Sequence, residues 1–214
     1  MKKILLIVAV LFFAANLSKA QDFTIGARVG MNVANIGGDY DDGDAKLGLK
    51  AGIVATFPLA DNIYLEPGLY FSPKGSKGES IDGGVTYKSF CNLNYVEIPI
   101  NGVYKYEINS NLTVRGHVGP YFAFGILGKS KVKIDGKVDK DSKVKNFNDG
   151  HNKAGRPNKD YSKFDFGFDF GAGIEFSVCY LGVQYDLGVI DFNRNRSDNK
   201  MRNGVFSVDF GVNF

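Results

Sequence analysis

The stretch FDFGFDFGAGIEF, residues 164–176, repeats with a period of two. Phe164, Phe166, Phe168, Phe170, Ile174 and Phe176 share one phase, and Asp165, Asp169 and Glu175 share the other with three glycines. Successive side chains of a β-strand point to opposite faces, so this segment forms one aromatic face and one face of acids and glycines. A helix, with its 3.6-residue period, cannot separate them. The aromatic face must meet either a second sheet or lipid.

The same period recurs along the chain. Apolar residues alternate with polar or small ones from Phe23 to Val33, from Leu47 to Leu59, from Ile63 to Phe71, in NYVEIPINGVYKY (94–106), from Leu112 to Ile126, in 164–176, from Leu181 to Val189 and from Phe206 to Phe214. Eight strands are therefore predicted. Three of the connections are tight, at Ala60–Asn62, Glu107–Asn111 and Ser177–Cys179. The others are long, at Ile36–Lys46, Pro73–Phe90, Lys129–Lys163 and Asp191–Asn203, and short and long links alternate strictly. A soluble sandwich has no reason to sort its loops in this way, whereas a barrel of the outer membrane places short turns at the periplasmic rim and long loops outside. The prediction is an all-β, eight-stranded antiparallel transmembrane up-and-down β-barrel, with the N- and C-termini together at the periplasmic rim.

The beginning of the chain agrees. Lys2 and Lys3 precede an apolar run from Ile4 to Ala15, and small residues follow at Ser18 and Ala20. This is the form of a secretory signal peptide. The twelve-residue run is shorter than the ~20 residues of a spanning helix. Residues 1–20 are expected to be the signal peptide, and 21–214 a single outer-membrane β-barrel domain beginning at Gln21. The signal holds three of the 26 basic residues and none of the 23 acids, so the formal charge of +3 vanishes in the mature chain. A basic-patch case for nucleic acid goes with it.

Aromatic residues gather where two interfaces would fall. Tyr64, Tyr104, Tyr106, Phe176, Tyr180 and Phe214 lie near the short turns, and Phe71, Tyr87, Phe90, Phe164 and Phe192 near the long loops. With no Trp in the chain, Tyr and Phe form the expected girdles. The opening FTIGARVGMNVANIGGD, the central LNYVEIPINGVYKY and the terminal FSVDFGVNF resemble outer-membrane beta-barrel proteins of the PorT type. The resemblance spans essentially the whole mature chain. It implies a small barrel, in some relatives associated with protein secretion, and Phe214 resembles the terminal aromatic signal read by the barrel assembly machinery.

Eight strands enclose an interior just wide enough for side chains. The inward phase carries Arg28, Lys50 and Arg115 with Glu66, Glu97, Asp165, Asp169, Glu175, Asp186 and Asp209. Charges of both signs in a dry bore must pair, so the lumen is expected to be filled rather than open. His117 belongs to the inward phase and His151 to the longest loop. Neither has a serine in register for acyl chemistry, and no HExxH, phosphate loop or calcium loop occurs. The acidic GGDYDDGD, residues 37–44, reads as a solvated turn rather than a calcium site. No catalytic, cofactor-binding or metal-binding residue is assigned, and no enzymatic activity is expected.

Cys91 and Cys179 should sit at opposite rims, separated by ~30 Å of membrane, and remain thiols. Residues 129–163 carry ten Lys and Arg156 against five Asp, a net charge of +6 suited to the phosphates of lipopolysaccharide. VKIDGKV (132–138) and IDGGV (81–85) place turn dipeptides between alternating residues, suggesting hairpins that run past the membrane. The expected function is that of a monomeric structural or binding barrel, displaying loops to lipopolysaccharide and to a surface or secretion partner. A small channel and, further off, a lipid A-modifying enzyme are the alternatives.

Overall fold

Every long strand of the chain hydrogen-bonds to a neighbour on both sides, and the ring so formed leaves no free edge within the barrel. The computed structural model describes residues 23–38, 44–138, 144–145, 147, 161–191 and 201–214. Its strands are β1 (Thr24–Gly38), β2 (Asp44–Ala60), β3 (Ile63–Asp82), β4 (Val85–Asn109), β5 (Leu112–Ile134), β6 (Lys137–Val138), β7 (Val144–Lys145), β8 (Phe164–Phe176), β9 (Cys179–Gly188) and β10 (Met201–Asn213). All pairings are antiparallel; the strands of the ring pair in chain order, with β5 against β8, and β1 pairs with β10 to close a barrel of eight strands. The two-residue β6 and β7 attach to the upper part of β5 outside the ring. This is the predicted eight-stranded antiparallel up-and-down barrel.

Three two-residue turns, at Asp61–Asn62, Ser110–Asn111 and Ser177–Val178, mark one rim. Asn62 and Ser177 adopt the left-handed conformation there, with φ of 62° and 53°. The chain ends meet at the same rim, where the Phe214 amide donates to Ile25 O at 2.8 Å.

At the opposite rim the barrel is taller than the alternation predicts. Residues 73–90, expected as a loop, are mostly strand: the β3–β4 ladder runs on from Ser72↔Tyr95 to Asp82↔Val85 and turns through two residues. Gly83 and Gly84 hold φ of 56° and 80°, both positive as a type I′ hairpin turn requires. Asp135 and Gly136, at 46° and 79°, make the same turn between β5 and β6. Both expected hairpins are therefore present, and β3, β4 and β5 rise together as a three-stranded sheet. The signal segment 1–20, the start at Gln21, residues 39–43 of the acidic stretch, His151, Arg156 and Phe192 lie outside the described residues.

Burial is inverted relative to a soluble domain. More polar and charged residues than apolar ones are buried, while Val29, Leu49, Ile53, Val118, Phe168, Phe170 and Phe210 stand exposed on the outer face. Such a surface suits hydrocarbon, and the closed ladder satisfies the backbone without water.

Candidate functional site

Each side chain assigned to the lumen from its strand phase points inward. Arg28, Lys50, Glu66, Glu97, Arg115, His117, Asp165, Asp169, Glu175, Asp186 and Asp209 are all no more than 8% exposed. The strands bring them together in layers. Nearest the short-turn rim, the Arg115 guanidinium donates to Glu66 Oε1 at 2.7 Å and Glu175 Oε1 at 2.9 Å. Lys105 Nζ reaches Glu175 Oε2 at 2.8 Å, and the Thr56 hydroxyl donates to Glu66 Oε2 at 2.8 Å. Arg28 donates to Asn213 Oδ1 at 2.7 Å, and its guanidinium lies 4.3 Å from the centre of the Tyr180 ring.

In the middle, Lys50 lies 3.6 Å from Glu97 and 3.9 Å from Asp186, over the ring of Tyr70. Asn101 donates to Asp169 at 3.2 Å, and His117 Nε2 stands 3.8 Å from the same carboxylate. Above, Lys74 joins Glu97 at 2.7 Å and Asp165 at 3.5 Å, while Asn203 and Tyr121 donate to Asp165.

The glycines of the opening stretch now have a purpose. A Cβ at Gly167 would come within 2.6 Å of the Tyr121 ring, one at Gly171 within 2.6 Å of the His117 ring, and one at Gly173 within 2.8 Å of the Tyr180 ring. Inward aromatic rings crowd these positions, and the packed rings and ion pairs fill the bore. An enclosed cavity lined by Arg28, Glu66, Tyr70, His117 and Asp209 measures about 10 Å³, space for about one water.

The mouth at the taller rim has an apolar cap. Phe147 and Tyr161, from the connection between β5 and β8, pack with Ile36, Leu93, Tyr95, Tyr121 and Ala123. The Phe147 ring stands edge-on to Tyr95 at 5.7 Å, seated against Gly125 where no side chain intervenes.

Two lumen cations escape the strand pattern as first drawn. Lys74 falls in the expected loop, yet it continues the inward phase of Glu66, Gly68, Tyr70 and Ser72; carrying the period through Pro73 would find it. Lys105 likewise continues the phase of Glu97 and Asn101. Tyr180, expected in the girdle near the short turns, is instead buried in the lumen at 6% exposure, because β9 begins at Cys179 and places Tyr180 in phase with Gln184 and Asp186. No disulfide joins Cys91 and Cys179. Among the described residues no group of three or more His, Cys, Asp and Glu is placed to hold a metal ion.

Curated protein sequences include no match to this chain. Among solved structures, the attachment invasion locus protein Ail of Yersinia pestis is similar at 12% identity, over 91% of this chain and 100% of that one, with a TM-score of 0.44. Neisserial surface protein A is similar at 16% identity, over 90% and 97%, with a TM-score of 0.43. OprG from Pseudomonas aeruginosa is similar at 12% identity, over 90% and 95%, with a TM-score of 0.42. The family model described as outer membrane protein beta-barrel domain matches residues 15–194, and the chain belongs to that family, a β-barrel of the outer membrane.

Proposed function

We propose that this protein is a closed surface scaffold: the barrel anchors, and the outward sheet and connections bind. The supporting observation is the filled lumen, with ion pairs packed along the bore, a 10 Å³ cavity among them and the Phe147 cap above. The rim with two-residue turns and both termini faces the periplasm, and the taller rim faces outside. Phe214 is the residue presented to the assembly machinery. The PorT-type resemblance of the opening, central and terminal segments supports a secretion-associated or surface partner at the outer sheet. The Lys129–Lys163 segment, net +6, takes lipopolysaccharide phosphates. A closed ring has no strand edge to pair with a second copy, which supports a monomer. His117 lies inside the bore against Asp169 rather than on the lipid face, which leaves it away from any acyl substrate.

Planar-bilayer recording tests this reading. The wild type should pass no steady current. Arg115→Ala, which strands Glu66 and Glu175, should lower barrel stability by roughly 3–5 kcal/mol in urea titration. Steady wild-type conductance with an unshifted mutant midpoint would favour a small channel, and protein-dependent change in lipid A acylation would favour an enzyme.

A further inference from the structure

The outer face of the barrel carries a groove of about 340 Å³ high on β1, β10 and β9, within the size range of small-ligand sites. Strand register shows how it arises. One cross-strand row, Val33–Phe206–Tyr185, is bulky. The next row upward, Asn35–Gly204–Leu187, has no side chain at its centre. Above Gly204, Arg202 is paired with Gly37. The result is a notch floored by Val33, Phe206 and the Tyr185 ring, whose hydroxyl reaches toward Gly204, with an aliphatic wall at Leu187, Asn35 opposite it and a guanidinium at its upper end.

Height along the strand matters. Arg202 is twelve residues above Phe214 on the same strand. At about 3.3 Å per residue and a tilt near 40°, the two differ in height by about 30 Å, the thickness of the hydrocarbon layer. With Phe214 at the inner interface, Arg202 lies at the outer one and the notch lies just inside the hydrocarbon. Arg202 is exposed and forms no ion pair among the described residues. An exposed arginine directly above a largely apolar notch matches a molecule with an acyl chain below and an anionic oxygen group above.

We infer that this groove is a binding site for one lipid A molecule of the outer leaflet, an acyl chain lying over Gly204 and a phosphate meeting Arg202. The site rests on the reading that this rim faces outside, and is separate from the lysine-rich connection.

Native mass spectrometry of the barrel released from phosphatidylcholine micelles containing lipid A tests it. Wild type should retain lipid A, one copy of it through this groove. Arg202→Glu removes a charge-assisted contact and should lower retention about tenfold. A Cβ at Gly37 meets nothing within 4 Å, so Gly37→Leu should fill the notch without disturbing the strand and lower retention similarly. Gly204→Val, which approaches only the movable Tyr185 hydroxyl at 3.0 Å, is a second filling variant should the first misfold. Lipid A lacking its phosphates should bind less and become insensitive to Arg202→Glu. Lys131→Gln/Lys133→Gln lowers only the binding held by the connection, so the losses from Arg202→Glu and Gly37→Leu should persist in that background, which separates this site from phosphate contacts of the connection. Undiminished retention in both the filling and the Arg202 variants overturns the site. Equal retention of phosphatidylglycerol by wild type overturns the assignment to lipid A. Disappearance of the Arg202→Glu and Gly37→Leu effects in the lysine-variant background moves the contact to the connection.

Discussion

Lys74 Nζ on β3 lies 2.7 Å from Glu97 Oε2 on β4, with neither side chain exposed. Lys74 also reaches Asp165 across the bore at 3.5 Å, so one cation serves two acids on different strands. Asp165 keeps donors from Tyr121 and Asn203, whereas Glu97 otherwise depends on Lys50 at 3.6 Å. Removing Lys74 therefore orphans Glu97 chiefly. Lys74→Met is expected to cost roughly 3–5 kcal/mol. Adding Glu97→Gln should recover more than ~1 kcal/mol of that loss, because the second change removes the stranded charge. Urea midpoints of the two single variants and the double variant check the cycle; strict additivity would show that the pair is not coupled.

The lipid face makes a different demand. Phe168 is 46% exposed on the outer surface of β8, its ring edge-on to Phe166 at 5.7 Å. Phe168→Arg should cost ~2–4 kcal/mol in refolding into vesicles, the depth-dependent penalty for a cation at mid-membrane, and Ser162→Arg at the wet rim should cost little. Equal tolerance at the two positions would remove β8 from the lipid.

Strand phase was legible because a barrel wall has only two environments, and period two sorts residues between them. That is why Asp165, Asp169 and Glu175 could be placed in the lumen from FDFGFDFGAGIEF alone. Lys74 was harder to see because Pro73 and the surrounding Ser, Lys and Gly residues look like a loop, yet the β3–β4 ladder crosses them with Pro73 opposite Asn94. Tyr180 lies two residues past a tight turn, where a tyrosine can belong equally to a girdle or to the bore; the start of β9 decides it. The cap was not legible at all. Phe147 comes from a connection without periodicity, and only the closed fold brings it over Gly125. The notch at Gly204 depends on cross-strand register, which alternation within single strands does not specify.

Topology gives an independent test. The Asp135–Gly136 turn crowns the tall rim, and Asp61–Asn62 lies at the rim of short turns. An epitope tag inserted at Asp135–Gly136 should bind antibody on intact cells, and one at Asp61–Asn62 should bind only after the outer membrane is permeabilised. The reverse pattern would turn the barrel over and, with it, place the Arg202 notch in the periplasmic leaflet.

The last expectation concerns the cap. Phe147 is 7% exposed and packs on Tyr95, while Cys91 lies partly buried against the same cluster. Phe147 belongs to no barrel strand, so its loss should open the mouth without weakening the ladder. Burial of a Phe side chain is worth about 1.5–3 kcal/mol, enough to change a local opening equilibrium by roughly tenfold or more. Phe147→Ala should therefore let a membrane-impermeant maleimide alkylate Cys91 on intact cells roughly tenfold faster, with the urea midpoint of the barrel nearly unchanged. Gly125→Leu should act similarly from the other side, since a side chain there occupies the space of the Phe147 ring. Cys179 starts β9 at the opposite rim, so in intact cells it should contribute no label, and Cys179→Ser should leave the measured rate the same. An alkylation rate unaffected by both cap variants would show that something other than Phe147 limits access at the outer mouth.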